Sequence, residues 1–211
     1  MNSPTSYYQQ DRAEILQLID SAPRRVLDIG CGKGGVAAML RQNYPETKIV
    51  GFDKFREEGF DYSERFESFH NLDLTDSWPA LDYTSFDLVL LLDVLEHLVS
   101  PQEVLGKLSS RLAKGTRVIV SLPNFHAYGN LYEIVKTGRF QYRDSGILDR
   151  THIRFYGQDD ARDLIKPYFS IDRFLPHHLQ PRSAINRMAA RILGEKYAAY
   201  QNIFLCTATG A

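Results

Sequence analysis

The chain has 211 residues, of which 44% are hydrophobic, a formal net charge of −1 and two cysteines. This length predicts one domain that can bury a core without disulfides, and the near-neutral charge argues against nucleic acid or an anionic membrane surface as a partner. The longest apolar run, Leu88–Leu92, is too short to span a bilayer, residues 1–10 show no secretory signal, and a reducing cytoplasm is the expected location.

The first half of the chain alternates between helix-like and strand-like patterns. A short helix is predicted over residues 11–20, and the strand RRVLDIG then leads into a glycine turn. The next predicted strands are KIVGFD, SFHNLDL, SFDLVLLLD and TRVIVSLP, and the helices GVAAMLRQNY and SPQEVLGKLSSRLAKG lie between them. This alternation predicts an α/β fold: a doubly wound, Rossmann-like sheet that is mostly parallel and has helices on both faces.

The second half of the chain completes a seven-stranded sheet. Residues 158–169 read as a helix, Ser170–Phe174 as strand six, residues 183–197 as a helix and NIFLCTATG as strand seven. Residues 124–157, with a helix at 128–137, interrupt the alternation directly after strand five. Because ligands bind at the carboxyl edge of such sheets, we expect 124–157 to be a lid or acceptor-binding insertion within a single domain, 1–211.

The segment VLDIGCGKGG holds the first chemical signal. Gly30, Gly32 and Gly34 allow a tight turn and close approach of a ligand to the backbone. Together with Gly35 the same letters fit a dinucleotide fingerprint, so an NAD-binding oxidoreductase is an open alternative. Asp28 argues against a dinucleotide, because a carboxylate there would repel a pyrophosphate and attract an ammonium or sulfonium. The structural alternative is that Asp28 caps nearby backbone N–H groups.

Two further aspartates follow predicted strands. Asp53 ends strand two, where a carboxylate can accept both hydroxyls of a ribose, whether the ligand is a dinucleotide or an adenosyl compound. Asp73 follows strand three and could accept from an adenine amino group. Either residue could instead be an ordinary turn aspartate.

Taken in order, VLDIGCGKGG, GFD, NLDL, FDLVLLLDVLEHLVSP and LAKGTRVIVSLPN resemble class I S-adenosylmethionine-dependent methyltransferases over residues 26–124. The resemblance implies S-adenosylmethionine as the cofactor. It implies these contacts: Asp28, Gly30, Gly32 and Gly34 to the methionine half, Asp53 to the ribose, Asp73 to the adenine, and Asp93 near the transferred methyl group.

The resemblance extends to a subgroup. SLPNFHAYGNLYEIVKTGRFQYRDSGILDRTHIRFY and the N-terminal YYQQDRAEILQLI are similar to MetW-like proteins and to methyltransferases found with glycan and O-antigen enzymes. The segment GILDRTH departs from MetW itself, which favours the glycan-associated branch. Arg12, with Tyr7 or Tyr8, could close over the cofactor and meet its carboxylate, although a surface arginine is the alternative.

A hydroxyl acceptor must lose a proton during methyl transfer, so a histidine or carboxylate near the site is expected. His152 and His126 are the first candidates, because an imidazole can accept a proton at physiological pH. His97 and Asp93 are the next candidates, with Glu96 beside them. Each histidine also has a structural reading, as a helix-start or hydrogen-bonded loop residue.

The insertion raises two further questions. Asp149 and His152, with the distant His126, could bind a metal, but no further ligand pair is evident and no metal is predicted. An Asp149–Arg154 ion pair could pin a merely structural loop, the alternative to a lid.

The predicted function is therefore methyl transfer from S-adenosylmethionine to a small molecule or a sugar of a glycan precursor, at oxygen. The alternatives are a non-catalytic S-adenosylmethionine-binding partner protein of MetW-like type and an NAD-binding oxidoreductase. Nothing in the sequence indicates the acceptor or the oligomeric state.

Overall fold

A computed structural model describes residues 12–76, 78–177, 191–192 and 194–210. The described strands are β1 Arg25–Ile29, β2 Lys48–Asp53, β3 Ser68–Asn71, β4 Leu88–Leu92, β5 Arg117–Pro123, β6 Phe169–His177 and β7 Gln201–Ala208. The α-helices are α1 Gly35–Asn43, α2 Pro101–Ser109, α3 Tyr128–Thr137 and α4 Gln158–Ile165. Short 3₁₀ turns lie at Ala13–Leu18, Tyr62–Glu64, Tyr83–Ser85, Leu95–His97 and Glu195–Tyr197.

The strands form one sheet in the order β3-β2-β1-β4-β5-β7-β6. The neighbouring pairs from β3 to β5 are parallel, whereas β7 runs antiparallel to both β5 and β6. The chain fills one half of the sheet with β1 to β3 and then crosses to β4 on the other side of β1. This switch point opens a crevice at the carboxyl ends of β1 and β4, where ligands bind in doubly wound sheets.

The core lies on both faces of the sheet, as predicted. All five residues of β4 are buried. Leu88 belongs to the cluster that holds Leu40 of α1, and Val89 belongs to the cluster that holds Leu105 of α2. Alternate residues of a strand point to opposite faces, so a continuous apolar run is the pattern of a strand covered on both sides.

Some predicted element boundaries differ from the structure. The helix expected over 11–20 is the 3₁₀ turn Ala13–Leu18, whose buried Ile15 and Leu18 are three residues apart and align in a helix of three residues per turn. Strand six extends beyond the predicted end at Phe174, because its pairing with β7 continues to His177. Of the helix predicted over 183–197, residues 183–190 lie outside the described part, as do Tyr7 and Tyr8.

The segment 124–157 leaves and rejoins the sheet at neighbouring points. Asn124 bridges to Tyr156, and the Phe125 N–H donates to the Tyr156 carbonyl at 2.9 Å. Within the segment, Ile147 and Leu148 are buried together with Ala127. A role as a lid stays a prediction.

Among the described residues, no helix is long and apolar enough to cross a membrane.

Candidate active site

The glycine turn follows β1 at the crevice. Gly30, Gly32 and Gly34 have φ values of +73°, +52° and +78°, which favour glycine. A side chain at Gly30 would place its Cβ 2.4 Å from Val94, whereas no described atom lies within 4 Å of a Cβ added at Gly32. The turn therefore needs glycine, and at Gly32 it presents bare backbone to open space, as a closely approaching ligand requires.

One cleft brings together most of the predicted residues. Its walls include Arg12, Asp28, Gly30, Gly32, Asp93, His97 and His152, and also Asp149. Four other predicted residues, Gly34, Asp53, Asp73 and His126, lie outside this wall. The grouping arises because β1, β4 and the segment 124–157 all reach the same edge of the sheet.

Asp28 is buried at the end of β1, with 2% of its surface exposed. Its Oδ2 has no hydrogen-bond partner among the described residues. Burial raises the pKa of Asp28 to about 7, and the negative charge of Asp53 adds to this rise. A buried carboxylate oxygen that is left without a donor is suited to a cationic or N–H-bearing ligand group.

Asp53 ties the end of β2 to the glycine turn. Its Oδ2 accepts from the Gly32 N–H at 2.7 Å and its Oδ1 from the Phe55 N–H at 2.8 Å. Each carboxylate oxygen has two acceptor sites, so hydroxyls of a ribose could still be bound. The ribose contact stays a prediction.

Asp73 lies in a turn after β3. Its Oδ1 accepts from both the N–H and the hydroxyl of Thr75, at 2.9 and 2.7 Å, and these bonds lower the pKa of the Asp73 carboxyl. This is the geometry of the turn aspartate that the sequence allowed as an alternative. The adenine contact stays untested.

Arg12 and Asp93 form the polar centre of the cleft. The Arg12 guanidinium donates to Asp93 Oδ2 at 2.5 Å and to Glu14 at 2.6 Å. Ser121 and Gln201 also donate to the Asp93 carboxylate, each at 2.8 Å. This set of donors occupies both oxygens of Asp93, so Asp93 is better placed to hold Arg12 than to take a proton from an acceptor.

The backbone at both residues is unusual. Arg12 has φ +41° and Asp93 has φ +56°, the two positive values among the described non-glycine residues. Such left-handed residues cost roughly 1–3 kcal/mol each and cluster at functional sites. The ion pair between them lies at the carboxyl end of β4, in the wall of the cleft.

Glu96, His97 and His152 form a second cluster on the same side. The Nε2 of His152 lies 3.9 Å from Glu96 Oε1, and the two imidazole rings are 4.8 Å apart, edge to face. Glu96 is 1% exposed, and neither of its oxygens has a hydrogen-bond partner among the described residues. Burial raises the pKa of Glu96 well above its ordinary value, and the charge of Asp93 adds to it.

The segment after Gly146 builds this cluster. Its backbone N–H groups at Ile153 and Arg154 donate to the Glu96 carbonyl, at 3.0 and 3.1 Å. The Asp149–Arg154 ion pair, named as part of the structural alternative to a lid, does not form in the described structure. Asp149 accepts from Thr151 at 2.8 and 2.6 Å, and Arg154 donates to the carbonyls of Leu98 and Val99. Arg154 therefore anchors the segment 124–157 through hydrogen bonds to the backbone after β4.

His126 lies apart from this cluster. Its ring lies 6.2 Å from the ring of Tyr197, and a Cβ at Gly157 would sit 2.2 Å from its Nδ1. The first predicted base, His152, lines the cleft, and the second does not. Both base assignments stay predictions.

Sequence reasoning missed the residues that support Arg12. Ser121, in β5, and Gln201, in β7, hold the Arg12–Asp93 pair from strands that are far apart in the chain. The one sequence signal was Ser121, a polar residue within an otherwise apolar strand. Gln201 gave no such signal, because it comes near Arg12 and Asp93 only through the antiparallel pairing of β7 with β5.

A family model described as a methyltransferase domain matches residues 5–168, well over half of the chain. The chain belongs to this methyltransferase family. Among curated relatives, the chain is 33% identical over 107 residues to the trans-aconitate 2-methyltransferase of Mycobacterium sp. strain KMS. That match covers 50% of the chain and 41% of the relative, so it spans less than half of the relative's length.

Solved structures show the same fold. The PH0226 protein from Pyrococcus horikoshii OT3 superposes with a TM-score of 0.64 at 15% identity, over 99% of this chain and 92% of that one. The N-methyltransferase NodS from Bradyrhizobium japonicum WM9, solved with S-adenosyl-L-homocysteine, has a TM-score of 0.57 at 15% identity, over 98% and 88%. At these identities the likeness establishes the fold alone.

Proposed function

We propose that the protein is an S-adenosylmethionine-dependent methyltransferase that methylates an oxygen of a small molecule or of a sugar in a glycan precursor. The family match supports methyl transfer, and the sequence resemblance supports the glycan-associated subgroup. Membership in a methyltransferase family weighs against the NAD-binding oxidoreductase.

The observation behind the cofactor assignment is Asp28. A buried carboxylate with an unpartnered oxygen, directly before a turn of positive-φ glycines, suits the ammonium and sulfonium of S-adenosylmethionine. The same carboxylate would oppose the pyrophosphate of a dinucleotide. Asp53, bound to the Gly32 N–H, stands next to this position and is the proposed ribose ligand.

Bound S-adenosylmethionine supplies a methyl group on a positively charged sulfur, which keeps the electron pair of the broken S–C bond as the new O–C bond forms. The protein must align the acceptor oxygen, exclude water and receive or relay the hydroxyl proton. His97 and His152 are the residues proposed for this work, and their position in the cleft wall supports the proposal.

The polar character of this side of the cleft supports a hydroxylated acceptor. Asp149, His97 and His152 line it together, and a sugar offers hydroxyls that can bond to imidazoles and carboxylates. An apolar acceptor would leave the buried Glu96 carboxyl without a partner, which costs free energy.

Two measurements test the proposal. Calorimetric titration of the purified protein with S-adenosylmethionine and with NADH should show binding of the first and weaker or absent binding of the second. An acceptor screen over nucleotide sugars and glycan intermediates, monitored by S-adenosylhomocysteine formation, should then identify turnover. Cofactor binding without turnover across that screen would favour the non-catalytic partner protein, and tighter binding of NADH would overturn the proposal.

A further inference from the structure

The Glu96, His97 and His152 cluster has an arrangement that methyl transfer alone does not require. One potential ligand atom from each residue lies within 4.8 Å of the other two. Two ligands at about 2.1 Å from a metal lie at most about 4.2 Å apart, so small side-chain movements would bring all three into one coordination sphere. The residues come from the turn after β4 and from the segment 124–157, two parts of the chain that only the fold brings together.

The hydrogen bonds of the two imidazole rings leave Nε2 of each ring available as a ligand atom. His152 Nδ1 lies 2.9 Å from the Ile147 carbonyl and His97 Nδ1 lies 3.1 Å from the Thr151 carbonyl. A carbonyl can only accept, so each Nδ1 must carry the proton and each neutral ring has its lone pair on Nε2. A backbone carbonyl that fixes the tautomer in this way is the usual support of a metal-binding histidine.

Glu96 gives an independent reason to look for a ligand. Its carboxyl group is buried, 1% exposed, and neither oxygen has a hydrogen-bond partner among the described residues. Its distance of 3.9 Å from His152 Nε2 is too long for a hydrogen bond. A buried carboxyl group left in this state is costly, and coordination to a cation would remove the cost.

The surrounding charges favour a cation. Asp93 and Asp149 lie near Glu96, whereas Arg12 is the nearby positive charge. Asp93 already forms an ion pair with Arg12. Because Arg12 and Asp93 neutralise each other, the charge of Asp149 leaves Glu96 in surroundings that are negative overall.

We propose that Glu96, His97 and His152 bind a divalent first-row metal ion, of the Mn²⁺ to Zn²⁺ range, at the acceptor end of the methyltransferase cleft. Two imidazoles and one carboxylate suit these ions and leave coordination positions open. Because His97 and His152 line the cleft, the open positions face the place where an acceptor hydroxyl would bind. The ion would orient that hydroxyl and make it more acidic, so that its proton could pass to solvent before methyl transfer, with His152 as a ligand and not as a free base.

This inference rests on the proposed function only for the role of the metal, not for its binding. The first test therefore needs no acceptor. The full-length protein, treated with a chelator and then dialysed, is titrated with Co²⁺ and Mn²⁺ alone by calorimetry and, for Co²⁺, by visible absorption. One equivalent should bind, and the proton signals of two of the six histidines should respond in NMR spectra.

Glu96→Gln and His152→Ala should each weaken binding by about 100-fold or more, since even loss of a supporting residue costs about 10–100-fold. Matched controls are Glu103→Gln, on the exposed surface of α2, and His177→Gln, at the end of β6; both should bind the ion as the parent does. S-adenosylhomocysteine affinity and circular dichroism, unchanged in every variant, establish that folding is intact.

The outcomes separate the two proposals. Absence of stoichiometric binding to the parent, or equal affinity in parent and cluster variants, overturns the metal site. Turnover that survives chelation while His152→Ala abolishes it also overturns the site and favours a free histidine base. Turnover that is lost on chelation and restored by Mn²⁺ or Co²⁺ supports it. Failure of S-adenosylmethionine to bind would refute the proposed function whatever the metal result.

Discussion

Replacing Asp28 by asparagine should have opposite effects on stability and on cofactor binding. Burial, with the charge of Asp53, raises the pKa of Asp28 from 3.8 to about 7. Between these values the folded protein holds a proton that the unfolded chain has released, so stability falls as pH rises through this window. The loss is complete above about pH 7. The folded and unfolded pKa values differ by about three, and each pKa unit corresponds to 1.36 kcal/mol, so the upper limit of this stability loss is about 4 kcal/mol.

Asparagine has nearly the same shape and cannot ionise, so Asp28→Asn should lack this pH dependence. Its amide would be imperfectly partnered, at a cost of about 1–3 kcal/mol, which leaves the ligand-free variant more stable than the parent by about 1–3 kcal/mol at pH 8. At about 2–4 °C per kcal/mol for a chain of this size, the melting temperature should rise by several degrees. At pH 5 the parent should have lost only about 1.6 kcal/mol of this stability, so the advantage of the variant should shrink to near zero or reverse.

Binding should respond in the other direction. A charge-assisted hydrogen bond to the ligand's ammonium contributes about 1.5–3 kcal/mol, so the variant should bind S-adenosylmethionine about 10- to 150-fold more weakly at pH 8. The assays are thermal unfolding from pH 5 to 8.5 and calorimetric titration of the ligand, on both proteins. Parallel stability profiles for the two proteins would refute the burial argument, and equal affinities would remove Asp28 from the cofactor site.

Three further outcomes are expected. Asp53→Ala should weaken S-adenosylmethionine binding by at least about tenfold in calorimetry, because the ribose would lose charge-assisted bonds of about 1.5–3 kcal/mol each; unchanged affinity would remove Asp53 from the site. Deleting residues 1–12 should raise the dissociation constant without abolishing folding, since it removes Arg12 from Asp93, and circular dichroism with titration checks both effects. His152→Ala should lower turnover by roughly 10²–10⁴-fold while cofactor affinity changes less than about threefold, and an equal loss in His126→Ala would contradict the special position of His152.

The parts of this protein that could be predicted from the sequence depend on local patterns. The apolar run of β4, LVLLL, identified a strand covered on both faces, and the glycines after β1 identified a turn at the ligand edge. These predictions succeed because strand periodicity and the backbone freedom of glycine are properties of neighbouring residues. Asp28, at the end of its strand, followed from the rule that parallel strands expose their carboxyl ends at one edge, and Asp93 followed from the family resemblance.

Other features required the tertiary structure. Nothing local distinguishes His152, which lines the cleft, from His126, which packs near Tyr197, because both are single histidines within the same irregular segment, 124–157. The partners of Asp93 come from Ser121 and Gln201, separated from it by 28 and 108 residues.

The meeting of Glu96, His97 and His152 shows the same division. Glu96 and His97 are adjacent in the sequence DVLEHL, which by itself indicates only the start of a helix or turn after β4. The third joins them only because backbone N–H groups after His152 bond to the Glu96 carbonyl and draw the long segment back across the end of β4. Residue types and periodicity determine which groups are available at the edge of the sheet. Which of these groups share a site depends on the free energy of the whole fold, and therefore only the packed structure decides it.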